Sequence, residues 1–517
     1  VVFSPNSKKM QLKNIIFLLV PTIIFAQLDS ILQNTLCHKE LIQNPYLTLG
    51  KSIQTTHTSI HFTNEKLHFK RNQTAENTHI FDFSSKGIFS FSTKLIISGN
   101  INFQKITEKE VGNTLVELRT NENFSIPLPY YYVQRKANWN KQKYSLNGLV
   151  AYTPTKNTIL QANIYGKYDE NFRNTDARPK IQNIDYQFNT KLGYHFNNYY
   201  FLINLGYHNF HKNLNIYYEN TELNNLITHP DTFLIKNEGY GNNYAHQKNG
   251  INNVYKNVGN NFGGEYTYQS EKILIRLSYQ NIYSLNEIYD DFSLNSQKKE
   301  SAVKTQQDNF NLFFRKNGTT TTWETLLDYR SISIINFLYN KNSSSNKQTE
   351  NQLYINNKLY INKLRKNTTT LGFEARIGSF RSQDTSVVLD KAIRYAEGTL
   401  FFGKNFSFLS DKNYLFFNIE NKLYIPINQI FNYIPFLSNS ENIFVKNIAL
   451  LDHIYDTSTR YSPTLQVGFS TIRNKKIWKL FTNFSQTYFI KNQYYTTKNY
   501  LDLKSNFSFH IGMSIDY

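Results

Sequence analysis

The chain ends in FSFHIGMSIDY, residues 507–517, and the alternation of this stretch decides the fold. Phe507, Phe509, Ile511, Met513, Ile515 and Tyr517 are apolar or aromatic, and Ser508, His510, Gly512, Ser514 and Asp516 lie between them. A period of two puts the first set on one face of a strand and the second on the other. An open sheet edge carrying a row of exposed aromatics invites aggregation. A barrel removes that edge by pairing the last strand with the first, so a closed antiparallel barrel is expected, apolar outside and polar inside.

The same pattern recurs upstream. In IDYQFNTKLGYHF, residues 184–196, Ile184, Tyr186, Phe188, Leu192, Tyr194 and Phe196 share one face, and Asp185, Gln187, Asn189, Lys191 and His195 the other. ILIRLSYQNIY (273–283), LGFEARIGS (371–379) and LFFNIENKLYI (415–425) repeat the logic. Each stretch is about ten residues, the length a tilted strand needs to cross an outer membrane. Strands are expected near 52–62, 81–91, 95–104, 143–153, 158–168, 184–196, 199–211, 262–269, 273–283, 305–315, 320–331, 353–361, 369–380, 398–408, 414–425, 464–472, 477–488 and 507–517. That makes eighteen, and fourteen or sixteen if weak stretches such as 52–62 or 81–91 belong to loops. Connectors alternate between short ones (92–94, 154–157, 197–198, 316–318, 473–476) and long ones (63–78, 105–142, 212–261, 284–304, 332–352, 426–463). The expected fold is all-β, a transmembrane up-and-down barrel with short periplasmic turns and long extracellular loops. Both termini on the short-turn side require an even strand number.

Composition agrees. Of 517 residues, 40% are apolar and 16% aromatic, and a mean hydropathy of −0.52 excludes a helical membrane protein but not a barrel, whose two faces average out. Lys8, Lys9 and Lys13 precede the apolar run 15–25, with Ala26 as a small residue at its end. Residues 1–26 are therefore expected to be a signal peptide with an upstream extension before Met10, residues 27–50 a short periplasmic segment, and 51–517 the barrel. The run is too short to span a bilayer as a helix. Only residues 27–50 precede the first strand, so no separate plug domain is expected. The single cysteine, Cys37, offers neither a disulfide framework nor a metal cluster.

The signal sequence, the Asn-, Lys-, Tyr- and Phe-rich alternation and the aromatic last strand resemble outer-membrane barrels of Gram-negative bacteria. More narrowly, residues 152–180, with FRNTDARP at 172–179, and NPYLTLG at 44–50 resemble a Bacteroidota-type barrel family of unknown function. The resemblance implies a fold and a location, without a substrate. It also implies that Phe509, Ile511, Met513, Ile515 and Tyr517 form the signal read by the barrel assembly machinery, physically a strand ready to add to a sheet edge. Within FRNTDARP, Arg173, Asp176 and Arg178 are expected in a loop over 169–183, with the carboxylate between two guanidiniums. The clasp either fixes the loop or contacts lipopolysaccharide phosphates at the pore mouth.

The net charge of +19 needs locating before it is used. The expected lumen face carries Lys94, Lys167, Lys191, Arg276, Arg330, Lys358, Arg376 and Lys422 against Asp185, Glu265, Glu324, Asp328, Glu374 and Glu420. The lumen is thus only slightly basic, and most of the excess sits in turns and loops such as 364–366 and 473–476. No nucleic-acid-binding motif is present. No His-Glu-x-x-His, Gly-x-Ser-x-Gly or phosphate loop is present either. Asp452, His453 and Asp456 in LLDHIYD are the best local catalytic cluster, without a nucleophile beside them. No cofactor, metal or enzymatic activity is expected.

Taken together, the residues point to a porin-like channel or passive transporter for small solutes. Gln161, Asn163, Lys167, Gln187, Lys191, Arg276, Glu374, Arg376 and Glu420 are expected to line its water-filled lumen. Two alternatives stay open: a non-conducting barrel in an uptake or secretion assembly, its loops at 212–261 and 426–463 folded inward as plugs or outward as docking surfaces, and a barrel hydrolase. Outer-membrane lipids and lipopolysaccharide, and the assembly machinery, are the expected partners.

Overall fold

The computed structural model describes residues 36–116, 124, 128–223, 225, 227–238, 243–245, 250–290, 298–344, 346–361, 368–385, 388–408, 410–434, 444–474, 476–492 and 505–516. The signal peptide expected at 1–26, the basic turn 364–366 and Tyr517 lie outside the described residues.

The main sheet contains eighteen antiparallel strands. In chain order they are β1 (Gln54–Lys66), β2 (Asn77–Ser90), β3 (Leu95–Val111), β5 (Ala137–Tyr152), β6 (Thr158–Arg173), β7 (Arg178–Phe196), β8 (Tyr199–Tyr217), β11 (Gly250–Gln269), β12 (Ile273–Asp290), β13 (Lys298–Asn317), β14 (Thr321–Leu338), β15 (Asn346–Ile361), β16 (Thr369–Asp384), β17 (Val388–Phe408), β18 (Ser410–Ile434), β19 (Ser458–Arg473), β20 (Lys476–Asn492) and β21 (Asn506–Asp516). Three short strands, β4 (Tyr130–Tyr132), β9 (Ile235–Asn237) and β10 (Asn243–Ala245), form a separate small sheet. Among the described residues no helix is long and apolar enough to cross a membrane.

The barrel closes where the last strand meets the first. β21 pairs with β20 on one side and with β1 on the other, His57 opposite Asp516 and Lys66 opposite Phe507. On the inner face of this seam Asp516 binds His57 at 2.5 Å and Lys479 at 2.8 Å. Gly512 leaves room for the rings beside it, since a Cβ there would lie 2.6 Å from His61 and 2.7 Å from Phe481 and both would have to move. The outward residues Phe509, Ile511 and Met513 are exposed.

Alternation separates the two faces of the wall. Outward Leu192 and Ile203 are 58% and 54% exposed, whereas inward Leu202 is 3% exposed. Exposed aromatics ring the outer surface at two levels: Tyr194, Tyr199, Trp323 and Trp478 near the short turns, and Tyr144, Tyr186, Tyr207, Tyr279, Tyr329 and Tyr488 at the other border. Such paired girdles bracket the lipid band of outer-membrane barrels.

All eighteen expected strands exist, but most run further than the alternation indicates. β7 begins at Arg178 and β8 continues to Tyr217, so both stand well above the upper girdle. There the outer face leaves the lipid band while the inner face packs on the lid core, with Ile181, Leu214 and Ile216 fully buried, so no outward apolar stripe announces a strand. Much of the expected loops at 105–142, 212–261, 284–304 and 332–352 is therefore wall. The expected loop at 169–183 shrinks to the four residues 174–177 between β6 and β7. Lys94, expected on the lumen face, belongs to the turn before β3.

Candidate functional site

The interior is occupied at both ends. At the short-turn end, the segment expected as a periplasmic stretch enters the barrel. Its helix α1 (Leu36–Gln43) is followed by a 3-10 turn at Pro45–Thr48, whose first position suits a residue without an N–H. Eight residues make a marginal helix in water, so packing must hold it. Leu36, Cys37, Tyr46 and Leu47 are buried against Ala151, Ile159, Leu202, Leu274 and Phe313 of the wall.

Polar contacts fix the segment from one side of the lumen to the other. The Leu36 amide donates to Glu324 on β14 at 2.9 Å, while Ser98 on β3 donates to the Ile42 carbonyl at 2.8 Å. Glu40 pairs with Arg276 at 2.7 Å. The Tyr46 hydroxyl donates to Glu265, which also pairs with Lys191 at 2.7 Å, and Lys191 donates to Asn44 at 2.7 Å. Arg315 donates to the Cys37 sulfur, and Gln269 to the Leu47 carbonyl at 3.1 Å. Glu40, Tyr46, Glu265 and Arg276 are all buried, so these charges satisfy one another away from bulk water.

At the opposite end, described parts of the long connectors fold inward. Tyr130, Tyr131, Tyr132 and Val133 pack with Leu234, Ile235, Phe444 and Ile448, and this core touches Ile181 and Leu214 on one wall and Leu389, Phe431 and Tyr433 on another. In the strand order β7 and β8 stand across the barrel from β17 and β18, so the lid bridges the lumen. Phe124 inserts among Phe380, Tyr395 and Tyr424. Helix α2 (Leu450–Asp456) is pinned beside it. Asp456 takes Arg71 on one carboxylate oxygen and Lys391 on the other at 2.8 Å, and Asp452 accepts from Gln73 at 3.0 Å. Of the two arrangements left open for the loops, residues 232–237 and 444–456 take the inward one, whereas the stretch around Glu219–Glu222 and Ile227 is exposed.

The same contacts place the hydrolase candidates. Asp452 and Asp456 are committed to tying down the lid. His453 is stacked on Phe431 with ring centroids 4.6 Å apart. Burial, followed by the positive charge of Lys391, pushes its imidazole down to about 4. Among the described residues, no group of three or more His, Cys, Asp or Glu could hold a metal ion.

The nine expected lining residues all lie at inward positions of the pleat. They fall into two sets. Gln161, Lys191 and Arg276 are occupied by the N-terminal segment, Gln161 donating to the Gln43 carbonyl at 3.5 Å. The others sit on wall above or beside it. Lys167 pairs with Asp169 at 2.6 Å, and Asn163 and Gln187 face Asn189 and Tyr165 across β6 and β7. Glu374 accepts from Asn356 at 2.8 Å, Arg376 pairs with Glu397 at 3.4 Å, and Glu420 lies opposite Phe401.

The FRNTDARP motif differs from its expected form. Asp176 pairs with Arg178 at 2.8 Å, but its other contacts are the backbone amides of Glu219 and Asn220, at 3.2 and 3.1 Å. Arg173 is buried and donates to the carbonyls of Ala177, Thr175 and Arg135. It stands at the end of a strand with its guanidinium turned to main chain, so the carboxylate is not shared between two guanidiniums. The clasp joins the 174–177 turn to the connector after β8.

Sequence reasoning did not find Glu40, Tyr46, Arg71 or Asp456 as structural keys. Their partners are hundreds of residues away, as for Arg71 and Asp456 at a separation of 385, and nothing local marks such a pair.

Known structures with similar architecture include three iron-uptake receptors. The ferric preacinetobactin receptor BauA from Acinetobacter baumannii is 7% identical, with 90% of this chain and 80% of that chain covered and a TM-score of 0.38. The ferric-catecholate import receptor Fiu from E. coli K12 is 9% identical, covering 90% and 82%, with a TM-score of 0.38. The ferric yersiniabactin uptake receptor FyuA from Yersinia pestis is 8% identical, covering 90% and 80%, with a TM-score of 0.42. No curated protein sequence matches the chain. A family model does match, over residues 45–517: the chain has an outer-membrane β-barrel fold and belongs to the family of unknown function DUF6850.

Proposed function

We propose that this barrel is an outer-membrane transporter for small polar solutes whose lumen is closed at rest, with the N-terminal segment and the extracellular lid acting as two closures in series. The observation that carries this reading is the segment 36–50, seated inside the barrel on buried ion pairs from β7, β11 and β12. A permanently open porin has no use for such a seat, because every lining charge spent on the segment is withdrawn from the solute path. Asn163, Lys167, Gln187, Glu374, Arg376 and Glu420 would line the path between the closures, and Gln161, Lys191 and Arg276 would join them once the segment leaves.

The resting closure favours a barrel opened by a solute or by a partner in an uptake assembly over passive diffusion. The chain is read as a non-enzyme, since Asp452 and Asp456 serve the lid. The exposed row Phe509, Ile511 and Met513, with Ile515 and Tyr517, is assigned to recognition by the assembly machinery. The Asp176–Arg178 clasp is assigned to holding the extracellular rim together, above lipid and lipopolysaccharide.

Planar-bilayer recording with the folded full chain tests the reading. Wild-type protein is expected to be silent or to open only briefly. Steady openings of porin size in the absence of solute would restore the passive channel. A salt gradient would then give the selectivity, which the slightly basic lumen predicts to be weak.

A further inference from the structure

On the wall formed by β13, β14 and β15, between the two closures, inward side chains leave a cavity of ≈ 350 Å³ lined by Gln307, Asn309, Asp328, Arg330, Gln352 and Tyr354. We propose that this cavity is the solute-binding site of the transporter and that its ligand is a neutral, polyhydroxylated solute of the saccharide class; the proposal rests on the transport reading above and names its substrate.

The register makes the site a compact patch. Asn309, Arg330 and Gln352 stand side by side in one row across the three strands, and Asp328 and Tyr354 are neighbours in the next row toward the short turns. The size lies within the range of small-ligand pockets, but the lining is unusual for one, because none of the six side chains is aliphatic. An apolar ligand would therefore leave the unspent polar atoms of the lining without partners, at a cost for each one buried.

The hydrogen-bond account identifies the complement. Gln307 spends an N–H on Asn309 at 2.8 Å, and Gln352 spends one on the Tyr395 hydroxyl at 3.1 Å. Both keep their carbonyl oxygens, and Asp328 adds a carboxylate, so acceptors face the cavity. Arg330 uses one nitrogen on Glu350 at 2.8 Å, and its side chain keeps 41% of its surface exposed. With the Asn309 amide it supplies donors. A hydroxyl group is both donor and acceptor, and a ring of hydroxyls meets such a mixed lining at several points.

Charge argues for neutrality. Asp328 and Glu350 are set against Arg330 and Arg376, whose guanidinium lies 5.5 Å from the Tyr354 ring centroid. An anion would face two carboxylates and a cation two guanidiniums.

The test is a binding measurement that does not depend on transport. The purified full chain, shown to be folded by circular dichroism and by heat-dependent gel migration, is titrated with maltose, lactose and raffinose, followed by calorimetry and saturation-transfer NMR. Triglycine and citrate serve as non-saccharide probes. At least one saccharide is expected to bind, and Asp328→Ala combined with Gln352→Ala should weaken it at least tenfold. Asn483→Ala, an inward amide away from the cavity, should leave it within twofold.

Failure of all three saccharides to bind folded wild-type protein would overturn the proposal. So would an unchanged affinity in the double variant, or triglycine or citrate binding as tightly. A barrel that conducts but binds none of them keeps the transport reading and loses this site. One that binds yet never opens keeps the site and loses the transport.

Discussion

Asp456 carries two buried cations on one carboxylate, and its neighbourhood shows how single residues hold the lid. Removing one partner of a buried pair costs about 3–5 kcal/mol, because the other charge is left uncompensated. Asp456→Asn leaves Arg71 and Lys391 facing each other across an amide. The expected outcome is local loosening, read as faster hydrogen exchange at 67–76 and 450–456, with the barrel strands unchanged. His453 adds a pH dependence. Its proton affinity falls from the ordinary 6.5 to about 4 in the lid, through burial and then Lys391, with Asp456 opposing. Between these values the opened lid binds a proton that the closed lid refuses, so lid stability is complete above pH 6.5 and is lost as pH falls toward 4. The loss approaches about 3 kcal/mol at its limit. Proteolysis of the lid at pH 7 and pH 4.5, compared between wild type and His453→Gln, isolates this contribution. Wild type should become the more sensitive of the two on acidification.

At the scale of elements, β21 behaves as its alternation foretells. Ile511 is exposed on the outward face near the middle of the apolar row, and Ser508 faces inward. Arginine at the bilayer midplane costs about 2–4 kcal/mol on a barrel exterior. Ile511→Arg should therefore lower unfolding stability in vesicles by about that amount, and Ser508→Arg by much less, as denaturant titration would show. If both cost the same, the two faces are wrongly assigned. The legible part of the fold is the part inside the lipid band, where one face must be apolar and the other polar. GINNVYKNVGNN, residues 250–261, illustrates the rest: it is the upper part of β11, its outward side chains lie above the lipid band while Ile251 and Tyr255 are buried in the lid core, and without an apolar outward stripe it reads as a loop. The turn of FRNTDARP was visible as a charged motif, but its partners on the connector after β8 were not.

Over the whole molecule, the least legible feature matters most for function. Residues 36–50 carry apolar positions such as Leu36, Ile42, Tyr46 and Leu47, but nothing local shows that the surface burying them is the inside of the barrel. Tyr46 meets Glu265 at a separation of 219 residues and Leu36 meets Glu324 at 288, contacts that exist only once the barrel has closed. The inward residues were legible from parity; that several of them hold the chain's own N-terminal segment was not. On the proposed reading, a lumen crossed at one end by α1 and bridged at the other by the aromatic lid would act as two gates in series, so that opening either alone leaves the other shut. The most direct measurement of this is single-channel conductance of four folded proteins in planar bilayers: wild type, Tyr46→Ala, Asp456→Ala and the combination. Little or no sustained conductance is expected from the first three and steady openings from the combination. Steady openings of equal size in wild type would contradict it, as would silence from the combination.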